Sequence, residues 1–286
     1  MNFDLFTKEI SFNLDYLDKV FPGTQPVSLD YTNIDNLDAD YVVSLKYDGI
    51  RKMLYSKSNK SFLFDRKYNY ESTDIFCTEG LTILDGEEIN GTYIIFDCPV
   101  INGENVRTKT LFERLSSLKQ CIEAQDVVRN LNIKQFFNLR DFDEVTQIKD
   151  LPYDGYIFTN KNNKYKAGRD ETLYKYKDGK NNTIDFACYN KGNGIYELYC
   201  GSLGIDKIWI GYACNKHNLT IAEHRKTIVE CYWDDGNGWV LQKIRHDKTT
   251  SNDIKIVRWN IRTIENNINF HDLTSLIRNR FQHKVS

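Results

Sequence analysis

The sequence predicts an α+β fold of antiparallel sheets with flanking helices, followed by a smaller C-terminal β-barrel. Three observations predict it. Short apolar runs joined by Asp-Gly or Asn-Gly dipeptides recur through the N-terminal part, which is the pattern of strand, turn, strand. Apolar positions at helical spacing occupy only a few segments, near residues 3–20, 108–124 and 273–281. From about residue 183 the chain becomes a succession of short strands punctuated by Gly192, Gly194, Gly201, Gly204, Gly211, Gly236 and Gly238, as in a small barrel. The expected domains are therefore 1–182 and 183–286, the second carrying a final helix.

The 286 residues, 41% hydrophobic and 13% aromatic, suffice for a full core in one large or two modest domains. Lys plus Arg number 38 against 40 for Asp plus Glu, so any nucleic-acid contact rests on local basic patches rather than on overall charge. No stretch is apolar enough to span a bilayer, and no membrane partner is expected. Seven cysteines without a Cys-x-x-Cys pair argue for reduced thiols and an intracellular setting. Cys214 and His217 have ligand-like spacing but lack a matching second pair, so no zinc site is expected.

In chain order, Phe6, Ile10, Leu14 and Leu17 mark a helix over about Phe3–Val20. Two prolines and a glycine in Phe21-Pro22-Gly23-Thr24-Gln25-Pro26-Val27-Ser28-Leu29 fix an ordered loop that leads into an extended segment; it either presents backbone groups to a ligand or is a plain connection. Tyr41–Leu45 and Met53–Tyr55 then flank Lys46-Tyr47-Asp48-Gly49-Ile50-Arg51, read as a hairpin with an Asp-Gly turn. Lys46 at a strand end is a candidate nucleophile if that end faces a cationic, partly desolvated pocket; otherwise it is a solvated hairpin lysine.

Ser61–Phe64 reads as a strand closed by Asp65-Arg66-Lys67, with Arg66 facing the same cleft or solvent. Around Asn90-Gly91 a second hairpin carries Glu87 on its first strand and Phe96 on its second. Glu87 could hold ribose hydroxyls or a metal, and Phe96 could stack on a base, or they could be a solvated acid and a core ring. Leu111, Leu115, Leu118 and Ile122 mark a helix over about Thr108–Ala124, capped by Thr108 or Thr110. Lys134 sits among apolar neighbours in Asn132–Phe137, an expected strand, and needs a partner unless it snorkels. Asp154 begins the strand Tyr153–Thr159.

Between Lys161 and Lys180 seven basic residues (Lys161, Lys164, Lys166, Arg169, Lys175, Lys177, Lys180) face three acidic ones (Asp170, Glu171, Asp178). Lys175 and Lys177 alternate within Leu173–Lys177, so they share one strand face about 7 Å apart, which suits a polyphosphate or a solvated edge. Trp239–Lys248 ends in a charged turn with Arg245, Asp247 and Lys248.

With these stretches in this order, the chain resembles the mRNA capping guanylyltransferases of the covalent nucleotidyltransferase superfamily, whose other members are ATP-dependent DNA and RNA ligases. The resemblance runs from Phe21 to Asn252 and begins with the shared signature Lys46-x-Asp48-Gly49-x-Arg51. Narrower stretches look like capping enzymes rather than ligases: the loop at 21–28, Asp154-Gly155-x-Ile157-Phe158, Tyr165-Lys166-x-Gly168-Arg169 through Lys175-x-Lys177 to Asn182-x-x-Asp185-Phe186, and Arg245-x-Asp247-Lys248-x-x-x-Asn252. Six or more in order make coincidence negligible.

The resemblance implies that Lys46 attacks the α-phosphate of GTP, releases pyrophosphate and passes GMP to the diphosphate end of RNA. It implies that Lys175 and Lys177 neutralise the α-phosphate and lower the Lys46 pKa, and that Glu87 and Asp154 serve a magnesium or manganese ion or the ribose. Phe96 then stacks on guanine, Lys134 donates to its O6, Arg51 and Arg66 contact ribose and phosphate, and Arg245, Asp247 and Lys248 orient the β- and γ-phosphates from an OB-fold domain. Implied partners are diphosphate-ended RNA, a separate RNA triphosphatase and a cap methyltransferase, in the nucleus or the cytoplasm, a viral or plasmid replication site included. The chain has no length for either of those further domains, so it reads as a stand-alone enzyme or part of a larger one. Ser251, Tyr176 and Tyr156 depart from the family pattern at turn and packing positions. The rival readings are an ATP-dependent polynucleotide ligase and a catalytically silent RNA-binding module.

Overall fold

The computed structural model describes residues 3–16, 21–124, 130–177, 182–202 and 205–281. The expected end of the first helix (Leu17 to Val20), Asp178 and Lys180 of the basic stretch, and Gly204 lie outside the described residues. In chain order the elements are α1 (Phe3–Leu14), β1 (Thr24–Ser28), β2 (Tyr41–Tyr47), β3 (Ile50–Lys57), β4 (Lys60–Asp65), β5 (Tyr70–Thr73), β6 (Thr82–Ile89), β7 (Thr92–Ile101) and β8 (Glu104–Asn105). There follow α2 (Leu111–Glu123), β9 (Leu131–Ile133), β10 (Phe137–Asn138), α3 (Phe142–Val145), β11 (Tyr153–Asn160) and β12 (Gly168–Lys177). The remainder is β13 (Thr183–Asn190), β14 (Tyr196–Ser202), β15 (Ile205–Cys214), β16 (Lys226–Asp234), β17 (Gly238–Ile244), α4 (Ile254–Glu265) and α5 (Phe270–Phe281). The fold is mixed α+β, mostly sheet.

Two compact units form. The first comprises Met1–Ser28, Asn36–Tyr176 and Thr274–Ser286, the second Leu29–Asp35 and Lys177–Leu273. The end of α5 thus groups with the first unit rather than with the barrel, as its contacts explain: Arg278 Nε lies 3.0 Å from Asp143, and Arg280 donates to the Leu37 carbonyl.

The first unit holds two sheets, one ordered β1-β12-β11-β2-β10 and one ordered β5-β4-β3-β6-β7-β8 with β9 added beside β7. Strands of the second sheet read as continuous apolar runs because both faces are covered. Met53, Tyr55, Phe64 and Ile83 point to the side of Ile10 and Leu14 on α1, whereas Leu54, Leu63 and Leu84 point to the side of Leu111, Leu115 and Leu118 on α2. Thr110 caps α2, its backbone N–H and hydroxyl both donating to Glu113 Oε2 at 2.8 and 2.7 Å. The second hairpin forms as the sequence predicts, with Asn90 and Gly91 both at positive φ, 50° and 77°.

Lys46–Arg51 is not a hairpin. Strand β2 pairs with β11 and β10 in one sheet, and β3 pairs with β4 and β6 in the other, so Asp48-Gly49 carries the chain from sheet to sheet. Gly49 is required by close approach rather than by turn geometry: a Cβ there would meet the Glu88 carbonyl oxygen at 2.6 Å and Ile89 at 2.5 Å. Asn132–Phe137 likewise divides between the sheets, β9 joining β7 and β10 joining β2.

In the second unit β13-β14-β15-β17-β16 close on one another into a barrel around Phe186, Leu198, Val229 and Leu241. Helix α4 packs Val257 into that core, with Asp253 as its cap accepting from the Lys255 N–H. Its apolar positions Ile254, Val257, Ile261 and Ile264 were legible as a helical stripe, and the strand-rich texture around them hid it.

Candidate active site

Lys46 lies at the last half-buried position of β2, and its Nζ donates to Asp154 Oδ1 at 2.6 Å. The pairing register explains the meeting. Tyr153 opposes Tyr47 and Gly155 opposes Lys46, so Asp154 is the extra residue of a bulge and is aimed at the lysine. Tyr156, opposite Leu45, stacks on Tyr176 with centroids 6.2 Å apart on the other face of the sheet. Lys175, next to Tyr176, is therefore on the Lys46 face, and Lys177 follows it by alternation; both are half-buried.

From the adjoining sheet come Glu87, Phe96, Arg51 and Arg66. Arg51 opposes Glu87 across β3 and β6. Its guanidinium stands 5.1 Å from the Phe96 ring centroid and 5.4 Å from that of Phe21. The same guanidinium grips the fully buried Asp85 in a bidentate pair, Nε to Oδ1 at 3.1 Å and Nη2 to Oδ2 at 2.7 Å, and donates to the Thr24 carbonyl at 2.5 Å. Tyr165 Oη donates to Asp85 Oδ2 at 2.8 Å. Gly23 closes over this knot, since a Cβ there would lie 2.7 Å from Arg51 Nη2. Arg66 is exposed beyond β4, within electrostatic reach of Arg51, Asp85 and Glu87.

Lys134 follows β9, held by its backbone N–H donating to the Ile95 carbonyl at 2.8 Å. Its Nζ lies 5.5 Å from the Tyr47 ring centroid and 5.6 Å from that of Phe96. Burial pushes this ammonium down to about 8, and the charges of Lys46 and Arg51 push the same way against the pull of Glu87. Burial raises the Glu87 carboxyl, opposed by Lys134, Lys46 and the Gly49 N–H. Lys46, Glu87, Phe96, Lys134, Asp154, Arg51 and Arg66 thus form one constellation in the first unit, bordered by Lys175.

Arg245, Asp247 and Lys248 belong to the second unit. Arg245 Nη1 lies 3.0 Å from Asp185 and 3.2 Å from Glu230, and its Nη2 lies 2.7 Å from Asp247 Oδ2. Lys248 also pairs with Asp185. Sequence reasoning about individual residues missed Asp85, Tyr47, Tyr165 and Glu230. The sequence holds a signal for Asp85 in its place directly after the apolar run Leu81–Leu84, because an acid that such a strand buries needs a cation.

The architecture is that of the nucleotidyltransferase and ligase fold. A solved mycobacterial DNA ligase D complexed with ATP and MES superposes with a TM-score of 0.51 over 80% of this chain and 96% of that one, at 12% identity, a likeness of fold alone. The mRNA capping enzyme catalytic-domain family matches residues 5–179, and the mRNA capping enzyme C-terminal-domain family matches residues 141–274. The chain belongs to the mRNA capping enzyme family. It is 28% identical to the mRNA-capping enzyme subunit alpha of Schizosaccharomyces pombe over 88% of this chain and 79% of that one. It is 25% identical to the mRNA-capping enzyme of Caenorhabditis elegans over 86% of this chain and 28% identical to that of Mus musculus over 81%. The chain spans about half the length of these two, 47% and 45%.

Proposed function

We propose that this protein is an mRNA guanylyltransferase. The neutral amine of Lys46 attacks the α-phosphorus of GTP, a P–N bond forms, the P–O bond to pyrophosphate breaks, and pyrophosphate carries away the electron pair. The terminal phosphate of a diphosphate-ended RNA then attacks the same phosphorus, and the P–N bond breaks to return the amine and leave GMP on the RNA as the cap. The observation that carries this reading is the pairing of Lys46 with Asp154 beside the ring of Phe96 and the ammonium of Lys134. A ring takes any base. A buried ammonium donor favours the carbonyl O6 of guanine, because the amino group of adenine at that position would leave two donors facing each other.

In this proposal Lys175 and Lys177 neutralise charge developing on the α-phosphate, Arg51 and Arg66 border ribose and phosphate, and Arg245, Asp247 and Lys248 orient the β- and γ-phosphates. Arg51 acts mainly as a fixed partner of Phe96, given its commitment to Asp85. Glu87 and Asp154 are suited to a magnesium or manganese ion, which when bound supplies charge neutralisation at the phosphates.

The proposed division is 1–182 for nucleotidyl transfer and 183–286 for an OB-fold, save that the end of α5 groups with the first unit. The barrel order first-second-third-fifth-fourth, with β15 and β17 parallel, supports the OB-fold assignment. A separate RNA triphosphatase supplies the diphosphate ends, a cap methyltransferase consumes the product, and the work is done in the nucleus or the cytoplasm, a viral or plasmid replication site included. Incubation with α-labelled GTP or ATP and magnesium, then denaturation, tests the proposal: protein-bound label from GTP is expected, and label from ATP alone would make it a ligase.

A further inference from the structure

Single exposed rings are ordinary, whereas rings gathered into one contiguous exposed patch mark an interaction surface. On the barrel, Trp209 is 53% exposed and Tyr212 60% exposed. Phe186 and Cys188 on β13 and Leu198 and Cys200 on β14 point into the core, so Tyr189 and Tyr199, each one residue away from an inward position, point out. Tyr199 opposes Trp209 across β14 and β15. Tyr189 meets Tyr199 with ring centroids 5.5 Å apart, and Trp209 meets Tyr212 at 5.7 Å. Residues three apart on a strand would normally face opposite ways. Here Leu198 opposes Gly211 while Tyr199 opposes Trp209, so one residue of β15 is extra and both rings emerge on one side.

Charge on this face selects among occupants. Lys191 Nζ lies 5.9 Å from the Tyr189 ring centroid, and Lys207 projects from β15 two residues before Trp209. The acid between them, Glu197, is already engaged by Lys191 at 3.2 Å and by the Tyr199 hydroxyl at 3.0 Å. With Lys191 and Lys207 set against Glu197, one positive charge remains beside the row of rings, which fits bases stacked on the rings and a phosphate at Lys207.

We infer that the outer face of β13–β15 is a stacking platform for single-stranded RNA, engaging the acceptor strand at nucleotides beyond its reacting end. Its place in capping rests on the guanylyltransferase reading, whereas RNA binding by the platform does not. Because every base has a π face, binding is expected to tolerate sequence and to reject duplex.

The test measures binding of fluorescein-labelled oligo(U) and oligo(A) to the full chain by anisotropy. Trp209→Ala and Tyr212→Ala should each weaken binding roughly tenfold, Trp209→Phe should retain most of it, and Lys207→Gln should lower the salt slope by about one. Both alanine variants should form protein-bound GMP from GTP at the wild-type rate, which also shows the fold intact. In transfer, KM should rise for long acceptors and stay unchanged for a dinucleotide acceptor. Unchanged oligonucleotide affinity in the double alanine variant would overturn the inference, and so would a face that proves to hold a protein instead. If wild-type protein forms no GMP adduct, the guanylyltransferase reading fails while the binding measurements still judge the platform.

Discussion

Asp154 and Lys46 meet at 2.6 Å because β11 gains one residue exactly where β2 ends, between Tyr153 and Gly155. Without that bulge the strand alternation would turn the carboxylate to the opposite face of the sheet. Asp154→Ala removes both the partner of the amine and a proposed ion ligand, so single-turnover formation of protein-bound GMP should slow by about a hundredfold or more. A rate within a few-fold of wild type would remove Asp154 from the chemistry.

Lys46→Ala and Lys46→Arg should both abolish the adduct and leave the fold unchanged. Arginine stays protonated and has no lone pair to offer phosphorus, so it is as inert here as alanine. A normal yield of acid-labile protein-bound GMP from the arginine variant would refute the assignment of the nucleophile.

Lys134 gives the site a pH signature. Its ammonium is held down to about 8 by burial, so it is charged below that pH and loses the charge as pH rises through it. GTP affinity, measured on Lys46→Ala to keep the adduct out, should weaken roughly tenfold above this range, the scale of a charged hydrogen bond. The sign for stability is opposite: the unfolded chain keeps this proton to about pH 10.4, so between the two values unfolding takes up protons and Lys134 makes stability rise with pH. Lys134→Met should flatten both curves, and a variant that keeps the affinity break would assign it to another group.

How far the sequence exposed this arrangement differs by residue. The turn at Asn90-Gly91 was legible because its chemistry is local: both residues must accept positive φ. The Lys46–Arg51 stretch misled for the same reason, since Asp-Gly between apolar runs has the local form of a hairpin, while the pairing that sends β2 and β3 to different sheets involves β11 and β6, far away in sequence. Lys134 could be read as a buried lysine in need of a partner, but its partner, the Phe96 and Glu87 corner, comes from another hairpin. Chain order alone assigns the C-terminal half of α5 to the barrel, and the contacts of Arg278 with Asp143 and of Arg280 with the Leu37 carbonyl reveal its other grouping.

Arg51 and Asp85 make the structural counterpart of the reacting pair. Asp85 is wholly inaccessible and accepts from two guanidinium nitrogens and the Tyr165 hydroxyl. Asp85→Ala strands a buried guanidinium, so urea unfolding should report a loss of about 3–5 kcal/mol. A loss below about 1 kcal/mol would mean that water reaches Arg51 in the variant and that the pair is not what fixes the start of β1 at Thr24.

Arg245 and Lys248 divide the reaction by step. Both are bound to Asp185, and Arg245 also to Glu230, so each is a positioned cation rather than a loose surface charge. Under the proposed function they act on the β- and γ-phosphates, which exist in the site only until pyrophosphate leaves. Their effect should therefore be confined to adduct formation. Arg245→Ala and Lys248→Ala should each slow that step by roughly a hundredfold, the scale of a lost electrostatic contact to a leaving group. The adduct that does form should pass GMP to diphosphate-ended RNA at close to the wild-type rate. Isolating it, adding RNA and timing cap formation in one turnover measures the second step alone, and an equal defect there would mean that these residues also hold the acceptor.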